Sequence, residues 1–119
     1  MKDKRKILEV FDNSYPGRNY LIVHQADEFT SVCPKTGQPD FGKITISYIA
    51  YKKCIELKSL KLYLQSFRND GIFYENVINR ILDDLVSVLK PKWMEVKGVF
   101  TVRGGICSTV ISSYGKKPL

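Results

Sequence analysis

From residue 43 the chain alternates, with Ile44, Ile46 and Tyr48 on one side and Thr45, Ser47 and Ile49 on the other. A period of two places each set on its own face and predicts a half-buried strand over 43–51. NYLIVHQADEF (19–29), rich in β-branched and aromatic side chains, reads as a strand before it. At residue 57 the period lengthens. Leu57, Leu60, Leu64 and Phe67 recur at three and four, which predicts a helix, and Asn69-Asp70-Gly71 ends it. A second helix is expected over about 73–89, where Val77, Ile78, Ile81, Leu82, Leu85, Val88 and Leu89 form a wide apolar stripe with Pro91 just beyond. WMEVKGVFTVR (93–103) and ICSTVISSY (106–114) follow as strands, with Gly104-Gly105 between them as a tight hairpin signal.

The expected order is strand, strand, helix, helix, strand, strand. Strands grouped at both ends with helices between them predict an α+β fold, an antiparallel sheet with both helices on one face. Such a sheet leaves two open edges, which subunits can pair and closed rings can remove. Residues 1–14 are charged and mixed and read as a loosely held lead-in; 15–119 read as one domain.

Composition narrows the function. The net charge of +7 favours anionic partners such as nucleotides or nucleic acid. Three cysteines without CxxC spacing and a single histidine, His24, indicate neither a disulfide framework nor a zinc site, so no metal is expected. No secretory leader and no membrane-length apolar run are legible, and a reducing cytoplasm is the expected setting.

The densest chemistry lies in SVCPKTGQPDFG (31–42), read as a Pro/Gly loop. Pro34 and Pro39 stiffen the backbone, and Asp40 stands seven residues after Cys33. A thiol acts as a nucleophile when it becomes thiolate, and a carboxylate held nearby can move a proton. The alternative is an inert buried cysteine, the reading preferred for Cys54 and Cys107 as small core residues. In ELKSLKLY (56–63), Lys58 and Lys61 share a helical face, either as a solvated basic stripe or as a phosphate site.

CPKTGQPD (33–40), ELKSLKLY (56–63), SFRNDGIFYE (66–75) and FTVRGG (100–105) together resemble the 7-cyano-7-deazaguanine reductases, the QueF nitrile reductases of queuosine biosynthesis, in their short single-domain type. The resemblance runs from about Tyr15 to Gly115. It implies a tunnelling fold (T-fold) whose subunits close into a barrel, with sites between subunits and two pentamers stacked as a decamer. It implies NADPH as the hydride source and a nitrile reduced to a primary amine, a step in tRNA modification. By the same resemblance Cys33 attacks the nitrile carbon to form a thioimide and Asp40 is the proton donor. Ile55, Glu56, Leu57, Phe73, Tyr74 and Glu75 surround the small-molecule substrate 7-cyano-7-deazaguanine. Lys58, Lys61 and Arg103 face the cofactor. Histidine is common in the family where Tyr74 stands; tyrosine can hydrogen-bond there but does not titrate near neutrality. No membrane and no direct nucleic-acid partner are expected. The rivals are an archaeosine-type amidinotransferase, which shares the cysteine and aspartate but lacks the ELKSLKLY motif, and a non-catalytic RNA-binding module. A zinc-dependent pterin cyclohydrolase on this fold would need more histidines than one.

Overall fold

The structure is a computed structural model, described here for residues 3–118; residues 1, 2 and 119 of the expected lead-in and domain lie outside the described residues. The strands are β1 (Val10–Asp12), β2 (Ile22–Val32), β3 (Pro39–Ile49), β4 (Lys53–Ile55), β5 (Trp93–Arg103) and β6 (Ile106–Gly115). The helices are α1 (Leu57–Gln65) and α2 (Tyr74–Leu89). Strands β2, β3, β5 and β6 form one antiparallel sheet in that order, so β2 and β6 are its edges. The expected α+β arrangement is the one observed.

Alternation builds the core. Ile44, Ile46 and Tyr48 of β3 and Met94, Val96 and Phe100 of β5 are buried on one face. They join Val77, Ile78, Ile81, Leu82 and Leu85 of α2 and Leu60, Tyr63 and Leu64 of α1 in one cluster. Burial of each such apolar side chain contributes roughly 1.5–3 kcal/mol. Gly98 on β5 lies close under α2. A Cβ there would lie 2.6 Å from Ile78 Cδ1, so any larger residue would force the Ile78 side chain to shift. Helix α2 ends as Pro91 foretells, with Lys90 as a left-handed cap at φ 46°.

The structure departs from the sequence reading in four places. Strand β3 begins at Pro39, inside the stretch expected to be a loop. Proline is tolerated as the first residue of a strand, and Gly42 lies where a Cβ would meet the Phe100 ring at 2.8 Å. Both residues read as breakers, yet they serve an entry and a close approach. Strand β2 starts later than expected and runs on to Val32, carried by pairing of Ser31 with Asp40 and Val32 with Pro39. The stretch expected as a loose lead-in is packed from residue 3. It holds a 3-10 turn (Lys4–Ile7) and β1, which pairs with β4 as a small second sheet. Lys4 is buried against Phe67, with its ammonium 3.0 Å from Asp70 and 2.9 Å from the Ser66 carbonyl. Three-residue strands show no period, which is why they were not legible. Finally, Cys107, expected in the core, is exposed, and so is Leu57 at the head of the helical stripe. Leu57 is the first residue of α1, before the helix has turned fully onto the sheet. Among the described residues no helix is long and apolar enough to cross a membrane.

Candidate active site and basic groove

The Cys33 loop is a closed turn. The Cys33 N–H donates to the Gln38 carbonyl at 2.8 Å, and the Gly37 N–H donates to the Cys33 carbonyl at 2.9 Å. Gly37 sits at φ 73°, a conformation only glycine adopts without strain. Within this turn the Thr36 hydroxyl, then the backbone N–H groups of Thr36 and Lys35, hydrogen-bond the sulfur and hold the Cys33 thiol below its ordinary value. Nearby negative charge on Asp40 opposes them. Hydrogen bonds to a charged form favour that form, so the loop prepares a thiolate. The sign is direct. A lowered thiol stays ionised to lower pH, so alkylation of Cys33 by iodoacetamide should have its pH midpoint below that of a free thiol. Thr36→Val should move that midpoint upward, and an unchanged midpoint would contradict this account of the loop.

Asp40 comes to the thiol from β3. Cross-strand pairing places it opposite Ser31, and both side chains are buried on the helix-covered face, Asp40 at 4% exposure. Its Oδ1 accepts from the Tyr74 hydroxyl at 3.1 Å and forms an ion pair with Arg103, whose Nε lies 2.9 Å away. Tyr74 lies flat on Phe100, with centroids 3.9 Å apart and planes 8° from parallel. Burial, then the hydrogen bond to Asp40 and its charge, raise the Tyr74 phenol, which keeps it a donor. The Ser31 hydroxyl is buried beside this group without a hydrogen-bond partner among the described residues.

The start of α2 is tied to the same place. Val32 bridges Gly71 in parallel, with its N–H donating to the Asp70 carbonyl and its carbonyl accepting from the Ile72 N–H. A Cβ on Gly71 would lie 3.5 Å from Pro34 Cα, so the two segments touch. This contact brings Phe73, Tyr74 and Glu75, the residues of the helix entry, beside the thiol loop. Phe73 is the N-cap position with its ring exposed, and Glu75 is an exposed carboxylate in the first turn.

The other expected residues form a second place. A groove of about 740 Å³ runs between β2 and α1, lined by Leu57, Lys58, Lys61, Leu64 and Arg68 on one side and by His24, Ala26, Phe29 and Thr30 on the other. It holds neither Cys33 nor Asp40, although the Thr30 hydroxyl donates to the Asp40 carbonyl at 2.8 Å and so joins the two. Lys58, Lys61 and Arg68 give the groove three cations among described residues, suited to phosphate. Arg68 escaped the sequence reading. It continues the 58, 61, 65, 68 stripe past the end of α1, and following that spacing through the turn would have found it. His24 is another unforeseen lining residue; burial lowers its pKa, so the imidazole favours the neutral form.

Three of the expected site residues make other contacts within the chain. Arg103 stands on Asp40, not in the groove with Lys58 and Lys61. The Glu56 carboxylate is engaged as the N-cap of α1, accepting the Lys58 and Ser59 N–H groups at 2.8 Å each. The Ile55 side chain is buried, and its N–H donates to the Tyr48 hydroxyl. The thiol cluster is drawn from the β2–β3 loop, β3, β5 and the α2 start, whereas Ile55–Leu57 lies at the β4–α1 junction.

The model of the family described as QueF-like protein matches residues 39–118. An NADPH-dependent 7-cyano-7-deazaguanine reductase of Chlorobium luteolum is 64% identical, with 93% of this chain and 96% of that protein covered. Proteins of the same name from Chlorobaculum tepidum and Rhodopirellula baltica are 61% and 57% identical, covering 94% and 92% of this chain and 96% and 91% of their own. Among solved structures, the archaeosine synthase QueF-Like in its apo form superposes with a TM-score of 0.76 at 20% identity, over 82% of this chain and 96% of that one. That likeness is one of fold, and it agrees with the expected T-fold. With the family model matched over most of its length and relatives this similar along nearly all of it, the chain belongs to the QueF-like family.

Proposed function

We propose that the chain is an NADPH-dependent nitrile reductase that converts 7-cyano-7-deazaguanine to its aminomethyl product, with Cys33 as the nucleophile. The observation that carries this reading is the closed Cys33 turn set beside the buried Asp40 by the Ser31–Asp40 and Val32–Pro39 pairing at one end of the sheet. A soft sulfur nucleophile beside a proton carrier suits addition to a carbon–nitrogen triple bond. The Cys33 sulfur bonds the nitrile carbon, one carbon–nitrogen π bond opens, and Asp40 delivers a proton to nitrogen. NADPH, when bound, supplies the hydride for each of the two reductions. Between them Cys33 leaves as the sulfur–carbon bond breaks, and the enzyme is restored.

Glu75 takes the purine-like edge. An ionised carboxylate accepts from an amino group and a ring N–H together. Phe73, exposed beside it, offers a ring face for the base. The basic groove holds the cofactor phosphates on Lys58 and Lys61, with Arg68 as a third cation. Lys58→Ala and Lys61→Ala should each raise KM for NADPH by about tenfold, the loss of one charge-assisted contact. Thioimide formation, which needs no NADPH, should stay as in the wild type. Steady-state kinetics beside a cofactor-free adduct assay check both; slowed adduct formation would move these lysines out of the cofactor role.

The two open sheet edges support pairing with further copies, in the reading of two pentameric rings stacked as a decamer. Ile55, Glu56 and Leu57 of one copy would then meet the thiol cluster of the next. A monomer in sedimentation velocity at working concentration would remove this assembly.

The test of the reaction is stoichiometry. Two NADPH should be oxidised per nitrile consumed, with the aminomethyl product identified by mass. Nitrile consumption without NADPH oxidation would overturn the reductase reading.

A further inference from the structure

The contacts of Arg103 lie at the thiol site. Its guanidinium donates to Gln38 Oε1 at 3.1 Å and to the Pro39 carbonyl, and pairs with Asp40 Oδ1 at 2.9 Å. One planar fork thus engages three successive residues. Gln38 also closes the Cys33 turn through its own carbonyl, so the same cation braces the thiol loop and the carboxylate. A bulge in β5 between Phe100 and Arg103 shifts the register there, and bulges re-aim side chains in this way. Phe100, on the other flank of the bulge, is the platform on which Tyr74 stacks. One irregularity therefore places both groups that hold Asp40.

We propose that Arg103 is a positioning residue for Asp40: with the Tyr74 hydroxyl it pins Oδ1, leaving Oδ2 as the oxygen that relays the Cys33 thiol proton to the nitrile nitrogen. This deepens the nitrile-reductase reading and rests on it. The relay balances. Oδ2 takes the proton from sulfur as the sulfur–carbon bond forms, then gives it to the nitrogen whose π bond has opened. The sum is thiol plus nitrile to thioimide, with no change of oxidation state. The groups facing Asp40 are the Ser31 hydroxyl from β2, the Cys33 thiol from the loop, the Tyr74 phenol from α2 and Arg103 from β5. Arg103 is the cation among these. A lysine keeps the charge but cannot span Gln38, Pro39 and Asp40 together.

The experiment is stopped-flow measurement of thioimide formation from 7-cyano-7-deazaguanine without NADPH, for the wild type, Arg103→Lys and Arg103→Met. The Arg103 side chain is 39% exposed, so both variants should fold. Misplaced catalytic groups can cost about 100-fold. We therefore expect Arg103→Met to slow adduct formation at saturating substrate by about that factor, with Arg103→Lys intermediate. The substrate dissociation constant and the rate of Cys33 alkylation should stay near wild type. A wild-type adduct rate with raised KM for NADPH would overturn the proposal and return Arg103 to the cofactor. Parallel losses in adduct rate, substrate affinity and thiol alkylation would overturn it in favour of a purely structural role. Absence of adduct from the wild type would overturn the reductase reading itself, and the proposal with it.

Discussion

Cys33→Ala should abolish turnover, lowering kcat by about four orders of magnitude or more, as loss of a nucleophile does elsewhere. The argument is local. The closed turn from Cys33 to Gln38 sets one sulfur among the Thr36 hydroxyl and two backbone N–H groups. The other thiols cannot replace it. Cys54 is buried beside Tyr20, and Cys107, at the start of β6, has its Sγ on the Phe100 carbonyl. Cys33 is itself only partly buried in a surface loop, and alanine leaves the Cys33–Gln38 backbone hydrogen bond intact. The variant should therefore match the wild type in thermal unfolding, and its substrate should still bind. Turnover by a folded Cys33→Ala protein within tenfold of wild type would remove covalent catalysis from the mechanism.

Asp40→Asn should cost about 100- to 10,000-fold in kcat, the range expected for a positioned acid–base group. Asparagine is close in shape. Its carbonyl oxygen can still accept from Tyr74 and from Arg103, but it cannot take up and release the proton. The ion pair with Arg103 becomes a neutral hydrogen bond, and Arg103 keeps Gln38 and the Pro39 carbonyl. Because the change leaves the pocket's shape, KM for the nitrile should move little while kcat falls. Steady-state kinetics over a range of nitrile concentrations separates the two constants. A raised KM with unchanged kcat would make Asp40 a binding residue instead.

The periodic segments carried most of the fold to the page. The wide stripe of α2 and the alternation of β3 state their own element type, because burial imposes a period on them. The exposure of Leu57 was not legible because a stripe says nothing of how the first turn of a helix meets the sheet. Strands β1 and β4 are too short to show a period, and Lys4 reads as a surface charge until Asp70, 66 positions on, is seen beside it. Pro39 and Gly42 read as breakers because composition alone cannot tell a strand entry and a close approach from a loop.

The site divided in the same way. Cys33 and Asp40 were legible as a stiff thiol loop with a carboxylate behind it, and the family motifs pointed to the α2 entry. The Arg103 contact was not legible. It joins positions 64 and 65 apart for Pro39 and Gln38, and it depends on a bulge that no sequence rule announces. The resemblance gives Arg103 to the cofactor, and within the chain its fork is engaged by a carboxylate, a side-chain amide and a main-chain carbonyl. Glu56 shows the converse case. Its place in a binding motif hid the ordinary work of capping a helix.

The most direct measurement is the intact mass of the reduced, folded wild-type protein after mixing with 7-cyano-7-deazaguanine and no NADPH. The account predicts an increase equal to the whole substrate, retained on denaturation, absent from Cys33→Ala, and removed when NADPH is added before quenching. An unmodified mass from protein that binds the nitrile would contradict the thioimide and, with it, the role given to Cys33.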